Sequence, residues 1–422
     1  MKKRVVITGL GFVTSIGNST SAVLESLRNA KSGIETFDEM PPDPGGPRVA
    51  GTIKGFSFPT GKFDDWTFPA EYQIDRTVLR SMSPNVVYAW CTMQQAIADA
   101  KLGPEQVSNP RTGAMCASAG SPWMIYESLH TMVTQGVHKC YPMALPAAIP
   151  GTLNANLGAC FKLKGSVVGF LSACASSSHA LGYAYDHIAY GRQDTVFVVG
   201  AEECTKYTIL PFAAVRALST KEDPEKTPCP FDAARDGFVG TGGATTLVLE
   251  SLESAQARGA TIYAEVLGWG EAADGFNVMA PEPEGEGLSR AMQSALEQAG
   301  LASGDIDYIN AHATGTPVGD TSEIKAIRRV FNTGRVPYVS STKALTGHGI
   351  CLAGAMEAAF TVLALHEKFM PISAKITKLD PACAGVPILI QPVDLAPRKA
   401  LSNSSGFGGA NVSVALGRWS GE

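Results

Sequence analysis

Charge is scarce in this chain: Asp, Glu, Lys and Arg make up 17% of its 422 residues, and the formal balance is −5. A mildly acidic chain with so few cations is poorly suited to nucleic acid, whose phosphates call for clustered Lys and Arg. Aromatics are also sparse, at 8%. Cysteine occurs nine times, never as CxxC and never with the histidine spacing of a zinc site. Scattered thiols in odd number, several among Ala, Gly and Leu, read as small buried residues in a reducing compartment. No apolar run is long enough to cross a bilayer; the most apolar helical stretch, Ala353 to His366, is too short and carries Glu357. The opening MKKRVVITGLGF passes from basic residues into a β-branched segment, without the apolar core and cleavage site of a leader. These absences predict a soluble, cytoplasmic protein with neither membrane nor nucleic acid as partner.

What is plentiful is glycine, with 44 residues, and short runs rich in Val and Ile: RVVIT, SVVGFLS, TVFVVG, TTLVLE, IYAEVLGWG, DYINAH, YVSSTKA, PILIQP and NVSVAL. Most do not alternate, which predicts strands buried on both faces. Helical patterns lie between them, at Ser289 to Gly300 and Glu323 to Phe331, so the class is α/β. One arrangement recurs. A strand enters a corner at SACASS and a long helix follows; later VPYVSSTKALTGHGI does the same before LAGAMEAAFTVLALHEKF. An internal duplication is predicted, with the join near residues 251–262 and halves of 1–255 and 256–422.

Cys174 sits at the first of these corners. Only the thiolate is a useful nucleophile, and an ordinary thiol is mostly protonated at neutral pH. A place in the first helical turn would favour the anion through free N–H groups and the macrodipole, and the same N–H groups could hold an oxyanion. Taken alone, Cys174 reads first as a buried small residue. Partners change that: His312 follows the strand pattern Tyr308–Asn310, Thr314 and Thr316 stand in the glycine-containing loop after it, and His348 lies in a second such loop, five residues after Lys343. Strand-end loops are the usual ligand sites of α/β proteins.

The motifs SACASS, AHATGTPVGD, STKALTGH and NSSGFGGANVS, with ALSTKEDPEKTPCPFDAARDGFV between them, resemble the signature blocks of the β-ketoacyl-acyl carrier protein synthases. The resemblance runs the length of the chain and is nearer synthase I than synthase II. The Cys-His-His set sets it apart from the initiating synthase. It implies the thiolase fold, a duplicated five-layered α-β-α-β-α sandwich, in a homodimer. It implies Cys174 as the acyl-accepting nucleophile, with His312 and His348 binding the malonyl thioester carbonyl and promoting decarboxylation. Lys343 and Glu357 match a structural ion pair, and Glu323 a carboxylate of the same network. Thr314 and Thr316 match phosphopantetheine-binding threonines. Phe407 matches a gating residue whose backbone N–H completes an oxyanion hole with that of Cys174, and Phe212 matches an acyl-pocket wall. The reaction implied is elongation of an acyl chain by two carbons with acyl carrier protein as partner, with no metal or redox cofactor.

The chain departs from the family pattern in places. Ser405 stands where NSFGFGG has Phe, Ala313 replaces Gly, Cys351 and Leu352 replace smaller residues, and the loop near MCASAGSPWM is slightly shorter. These changes predict unusual acyl selectivity with the nucleophile, imidazoles and lysine kept. Arg76 and Arg80 fit a basic carrier-docking patch or a solvated helix face, and Thr77 replaces a basic residue there. His179 and His187 read as packing or surface residues. A polyketide-type ketosynthase and a non-elongating partner subunit stay open as alternatives; the retained Cys174 speaks against the latter. A dehydrogenase does not fit, because Thr14 replaces the third glycine of a dinucleotide fingerprint. A thiolase does not fit either, since its second cysteine motif is absent.

Overall fold

The computed structural model describes residues 2–41 and 45–421. Ten strands form the central scaffold. In the first half they are β1 (Val5–Val13), β2 (Thr112–Ala117), β3 (Val167–Phe170), β4 (Thr195–Glu202) and β5 (Gly243–Ser251). In the second they are β6 (Ala264–Ala273), β7 (Tyr308–Asn310), β8 (Tyr338–Ser340), β9 (Lys399–Gly406) and β10 (Ala410–Arg418). Their spatial order is β8-β7-β9-β10-β6-β1-β5-β4-β2-β3. Each half therefore repeats one plan: the third strand lies outermost, the first lies at the centre, and the remaining three follow the same order between them. The pattern of directions repeats too. β2 runs parallel to β3 and β4, as β7 does to β8 and β9, and the other pairs are antiparallel. The halves meet where Val5–Ile7 pairs antiparallel with Ala264–Val266.

Helices cover both faces of each half-sheet, which is why β1, β2, β4 and β5 are buried from end to end. The helices that matter here are α1 (Pro84–Asp99), α2 (Pro122–Gln135), α3 (Ser176–Ala189), α4 (Glu286–Ala299), α5 (Pro317–Val330) and α6 (Ala353–His366). α1 lies on the outer face of the first half-sheet, and α4 and α5 on that of the second. α3 and α6 pack between the sheets in a core that includes Leu181, Ile188, Met356 and Phe360. The result is a thiolase fold of five layers. α6 occupies the middle layer because it is apolar all round: every residue from Ala353 to Leu365 is buried, and Phe360 stacks on Phe12 of β1 at 6.0 Å. α4, by contrast, is amphipathic and is bracketed by left-handed Gly285 and Gly300.

Three details differ from the sequence pattern. PILIQP makes only an isolated bridge from Ile388 to Val339, because Pro387 and Pro392 limit its ladder donors. β3 is an apolar run but an exposed edge, with Val168 41% accessible. The two outer helices begin earlier than their apolar periodicity suggests, at Glu286 and Pro317, since the first turns carry Gly, Pro and Asp. Among the described residues no helix is long and apolar enough to cross a membrane.

Candidate active site

The corner after β3 is a tight elbow. Ala173 adopts φ +50°, Ala175 is the N-cap, and α3 begins at Ser176. The Ser172 N–H donates to Ser176 Oγ (2.8 Å), and that hydroxyl donates to the Ala173 carbonyl (2.6 Å). Behind the elbow His179 closes against Ser172 Oγ (2.7 Å) and Glu271 (3.0 Å). Cys174 thus stands one residue before the N-cap rather than in the first turn, which corrects the sequence expectation. The thiol is 6% exposed, and burial pushes it up to about 12; the Lys343 cation and the Phe407 backbone N–H pull in the other direction. In the resting state it is a protonated thiol. Glycine at 406 lets that N–H come close: a Cβ there would meet Ser172 O at 2.6 Å and Cys174 N at 3.1 Å.

The second half supplies the imidazoles. His348 follows the short helix Lys343–Thr346, with Gly347 left-handed at φ +80°. Its N–H donates to Val239 O (2.7 Å) and its carbonyl accepts from Thr241 N–H (3.0 Å). The Phe238 ring stands edge-on to it at 5.2 Å. His348 Nε2 lies 3.0 Å from Cys174 Sγ. His312 follows β7, where Glu323 of α5 fixes its loop: one carboxylate oxygen accepts the His312 N–H (3.0 Å) and the other the Ala313 N–H (2.7 Å). Asn403 donates to Glu323 (3.1 Å), and Ser341 Oγ to Ala313 O (2.6 Å). The two imidazoles are perpendicular at 5.2 Å, and donor atoms of Cys174, His312 and His348 all lie within 4.8 Å of one another.

Both histidines are held well below their ordinary value, first by burial and then by the Lys343 cation; His348 adds to the effect on His312. They are neutral at physiological pH. Lys343 and Glu357 are both fully buried and in contact as an ion pair, and burial raises Glu357 to about 7 against the pull of Lys343. A thiol with two imidazoles is also a soft-metal donor set. The buried Lys343 ammonium opposes a second cation there just as it opposes protonation of the rings.

Cys174, His312, His348, Thr314, Thr316 and Phe407 line one cavity of about 810 Å³, counting its open mouth. The Thr314 and Thr316 hydroxyls are 3.1 Å apart. Phe212 lines the same cavity, 6.0 Å from the Phe407 ring and 5.3 Å from Phe238. Glu323 reaches it; Lys343 and Glu357 stand behind the wall. Cys351 is buried behind the elbow, its thiol in hydrogen-bond contact with Glu202 and Ser176, and burial raises Glu202 to about 8. Arg76 and Arg80 are exposed; Arg76 pairs with Asp64 (2.6 Å) and Arg80 Nε donates to Tyr141 Oη (3.3 Å). Sequence reading passed over Phe238, Asn403 and Asp320. Asp320 accepts from the N–H groups of Gly315 (3.0 Å) and Phe231 (2.9 Å) and so shapes the threonine loop. All three stood inside quoted motifs, and their partners are backbone N–H groups for Asp320, the His348 ring for Phe238 and the Glu323 carboxylate for Asn403, which spacing does not reveal.

A duplicated thiolase fold with a cysteine elbow facing two neutral imidazoles defines a condensing enzyme. Residues 2–255 match the family "Beta-ketoacyl synthase, N-terminal domain", and residues 263–377 match "Beta-ketoacyl synthase, C-terminal domain". The 3-oxoacyl-[acyl-carrier-protein] synthase 1 of Haemophilus influenzae is 41% identical over 99% of this chain and all of that protein. A solved beta-ketoacyl synthase from Burkholderia phymatum is 35% identical, with a TM-score of 0.90 over 99% of this chain and all of that one. A type II polyketide ketosynthase solved with its acyl carrier protein is 26% identical, with a TM-score of 0.87 over 99% of this chain and all of that one. The chain belongs to the β-ketoacyl synthase family, and it is an acyltransferase of the ketosynthase type.

Proposed function

We propose that the protein elongates acyl chains by decarboxylative condensation with malonyl-acyl carrier protein, Cys174 holding the acyl group. The observation that carries this is the 3.0 Å approach of His348 Nε2 to Cys174 Sγ, within 4.8 Å of a His312 nitrogen. His348 takes the thiol proton as sulfur attacks the incoming thioester and passes it to the carrier thiolate as the acyl–carrier bond breaks, so that a buried neutral thiol needs no standing thiolate, the free carrier thiol departs and the ring is neutral again. The oxyanion forms against the N–H groups of Cys174 and Phe407. Malonyl thioester then enters past Thr314 and Thr316, which hold the pantetheine, with Phe407 as gate and Phe212 beside the acyl chain. The carboxylate leaves as CO2, its electron pair passing into an enolate whose oxygen accepts from His312 and His348. The enolate carbon attacks the acyl carbonyl, and the Cys174 sulfur leaves and regains a proton. Lys343 keeps both rings neutral, Glu357 balances Lys343, and Glu323 positions His312. This chemistry draws on no resident metal or redox cofactor.

Acyl carrier protein is the proposed partner, supported by the names of the relatives, with Arg76 and Arg80 in its docking patch. A cytoplasmic homodimer whose protomers divide at 255/256 completes the reading; the repeated strand plan supports the division. The dimer is supported by the open edge of β3, where Val168 and Leu171 are exposed, and by the exposed Tyr126, Leu129 and Val133 of α2. Elongation of a panel of acyl carrier protein thioesters by the purified chain tests the reading. Acyl mass on the wild-type protein and none on Cys174→Ala is expected; condensation by Cys174→Ala would refute it.

A further inference from the structure

The cavity lining includes a branch of residues that this condensation leaves without a role. It comprises Ser405 and Asn411 of the β9–β10 hairpin, Asp274 after β6, Gly285 and Leu288 at the start of α4 and Ser322 of α5, all lining the same cavity as Cys174 and His312. Ser405 and Asn411 are cross-strand partners. Strand alternation puts Ser405 on the same sheet face as Asn403, which meets Met292 of α4 and Glu323 of α5. The residue at 405 therefore decides how far the cavity reaches between sheet and helices. Here it is a short hydroxyl rather than the aromatic of the family pattern.

The branch is polar along one wall. Ser405 Oγ donates to Asn411 Oδ1 (2.7 Å), and Asn411 Nδ2 donates to Asp274 Oδ1 (2.7 Å) and to Gly409 O (3.0 Å). The other Asp274 oxygen accepts the Glu282 N–H (3.0 Å). Leu288 supplies an apolar floor, 4% exposed. Among the described residues no Lys or Arg lines the cavity, while the carboxylates of Asp274 and Glu323 do. A wall of acceptors without a cation suits a neutral hydroxyl-bearing group and disfavours an anion.

We propose that this branch is a substituent pocket, and that the enzyme accepts extender thioesters bearing a small neutral hydroxyl-containing group on C2, of the hydroxymalonyl class. The inference rests on the condensation reading above. With the extender carbonyl on His312 and His348, C2 faces Cys174, and a second group on C2 needs the space along Ser405, Asn411 and Asp274. The bond changes are those of the malonyl reaction: the C2–carboxylate bond breaks to release CO2, C2 bonds the acyl carbon, and the product carries the substituent between its two carbonyls.

The test offers wild-type protein, acylated on Cys174, an equimolar mixture of malonyl-, methylmalonyl- and hydroxymalonyl-carrier protein, with products resolved by mass. Hydroxymalonyl product is expected at a level comparable with malonyl product and above methylmalonyl product. Ser405→Phe closes the branch and lowers the hydroxymalonyl-to-malonyl ratio about tenfold or more. Ser405→Ala keeps the volume and removes the hydroxyl, lowering hydroxymalonyl relative to methylmalonyl by about fivefold, the effect of one neutral hydrogen bond. Wild-type product from malonyl alone, a preference for methylmalonyl, or ratios unchanged in both variants would overturn the pocket. A wild type that fails to condense malonyl would instead overturn the underlying reading.

Discussion

β3 and β8 hold equivalent places in the two halves, each outermost in its half-sheet, yet their outer edges have opposite fates. The free side of β8 is covered by its own chain: Val339 N–H donates to Pro387 O (3.0 Å), and Leu389 N–H donates to Val339 O (2.8 Å). The free side of β3 is bare, with Leu171 63% exposed at its end. The corners that follow also differ. After β3 the chain turns within residues 171–175 and presents one thiol. After β8 it spends residues 341–352 before α6, and that longer passage holds Lys343 and His348. Duplication supplied one scaffold twice. The difference shows how chemistry was divided over it: the compact corner offers a nucleophile, and the extended corner can bury a cation and an imidazole together.

The largest expected effects break the division itself. Cys174→Ala should lower condensation by about 10³-fold or more while decarboxylation of malonyl thioester persists, followed by CO2 release. His312→Ala should do the converse, keeping acyl transfer to Cys174 and losing decarboxylation by about 10²–10³-fold, the usual cost of one oxyanion donor. Equal loss of both half-reactions in either variant would merge the two roles.

The next effect concerns the extended corner. Lys343→Met leaves the Glu357 carboxyl buried without its cation, which should cost about 3–5 kcal/mol in urea unfolding, with partial recovery in the Lys343→Met/Glu357→Gln double variant. It should also change the pH dependence. The folded-state values of His312 and His348 lie well below that of an unfolded histidine, about 6.5. Above that pH both states are neutral and stability is fully present. As pH falls below it, the unfolded chain binds protons that the folded one refuses, and stability is lost. Removing Lys343 takes away part of the depression, so the stability lost between about pH 6.5 and about pH 5 should shrink. A steeper loss would remove Lys343 from its proposed role.

A smaller effect tests the bare edge. Leu171→Lys should weaken self-association about 10- to 100-fold by sedimentation, corresponding to one large apolar side chain that is no longer buried. An unchanged distribution would place the dimer contact elsewhere. The smallest effect belongs to the threonine loop: Thr316→Ala should raise KM for the carrier-bound extender about two- to tenfold with kcat held, as befits a neutral hydrogen bond. A fall in kcat alone would argue against pantetheine binding.

Much of the fold could be read early because β-branched runs such as TTLVLE and TVFVVG need burial on two faces, and LAGAMEAAFTVLALHE is apolar on every side. PILIQP misled because its composition is that of a strand while its prolines remove ladder donors. The edge position of β3 was illegible for a related reason: its residues are those of a buried strand, and exposure depends on what lies beside it. Within the site, residue types were legible and states were not. A protonated thiol stands where a helix start suggested a thiolate, since the elbow places Cys174 ahead of Ala175 and burial outweighs the nearby charge.

The sequence by itself determined the α/β class, the duplication, and which side chains carry reactive groups, because periodicity and functional-group chemistry are local properties of a chain. Only the tertiary structure decided that Cys174 from one half meets His312 and His348 from the other, that all three are neutral, and that Ser405 lines the same cavity. Protonation state and shape depend on which distant segments exclude water from a group, and that is fixed only when the two half-sheets and their middle helices pack together.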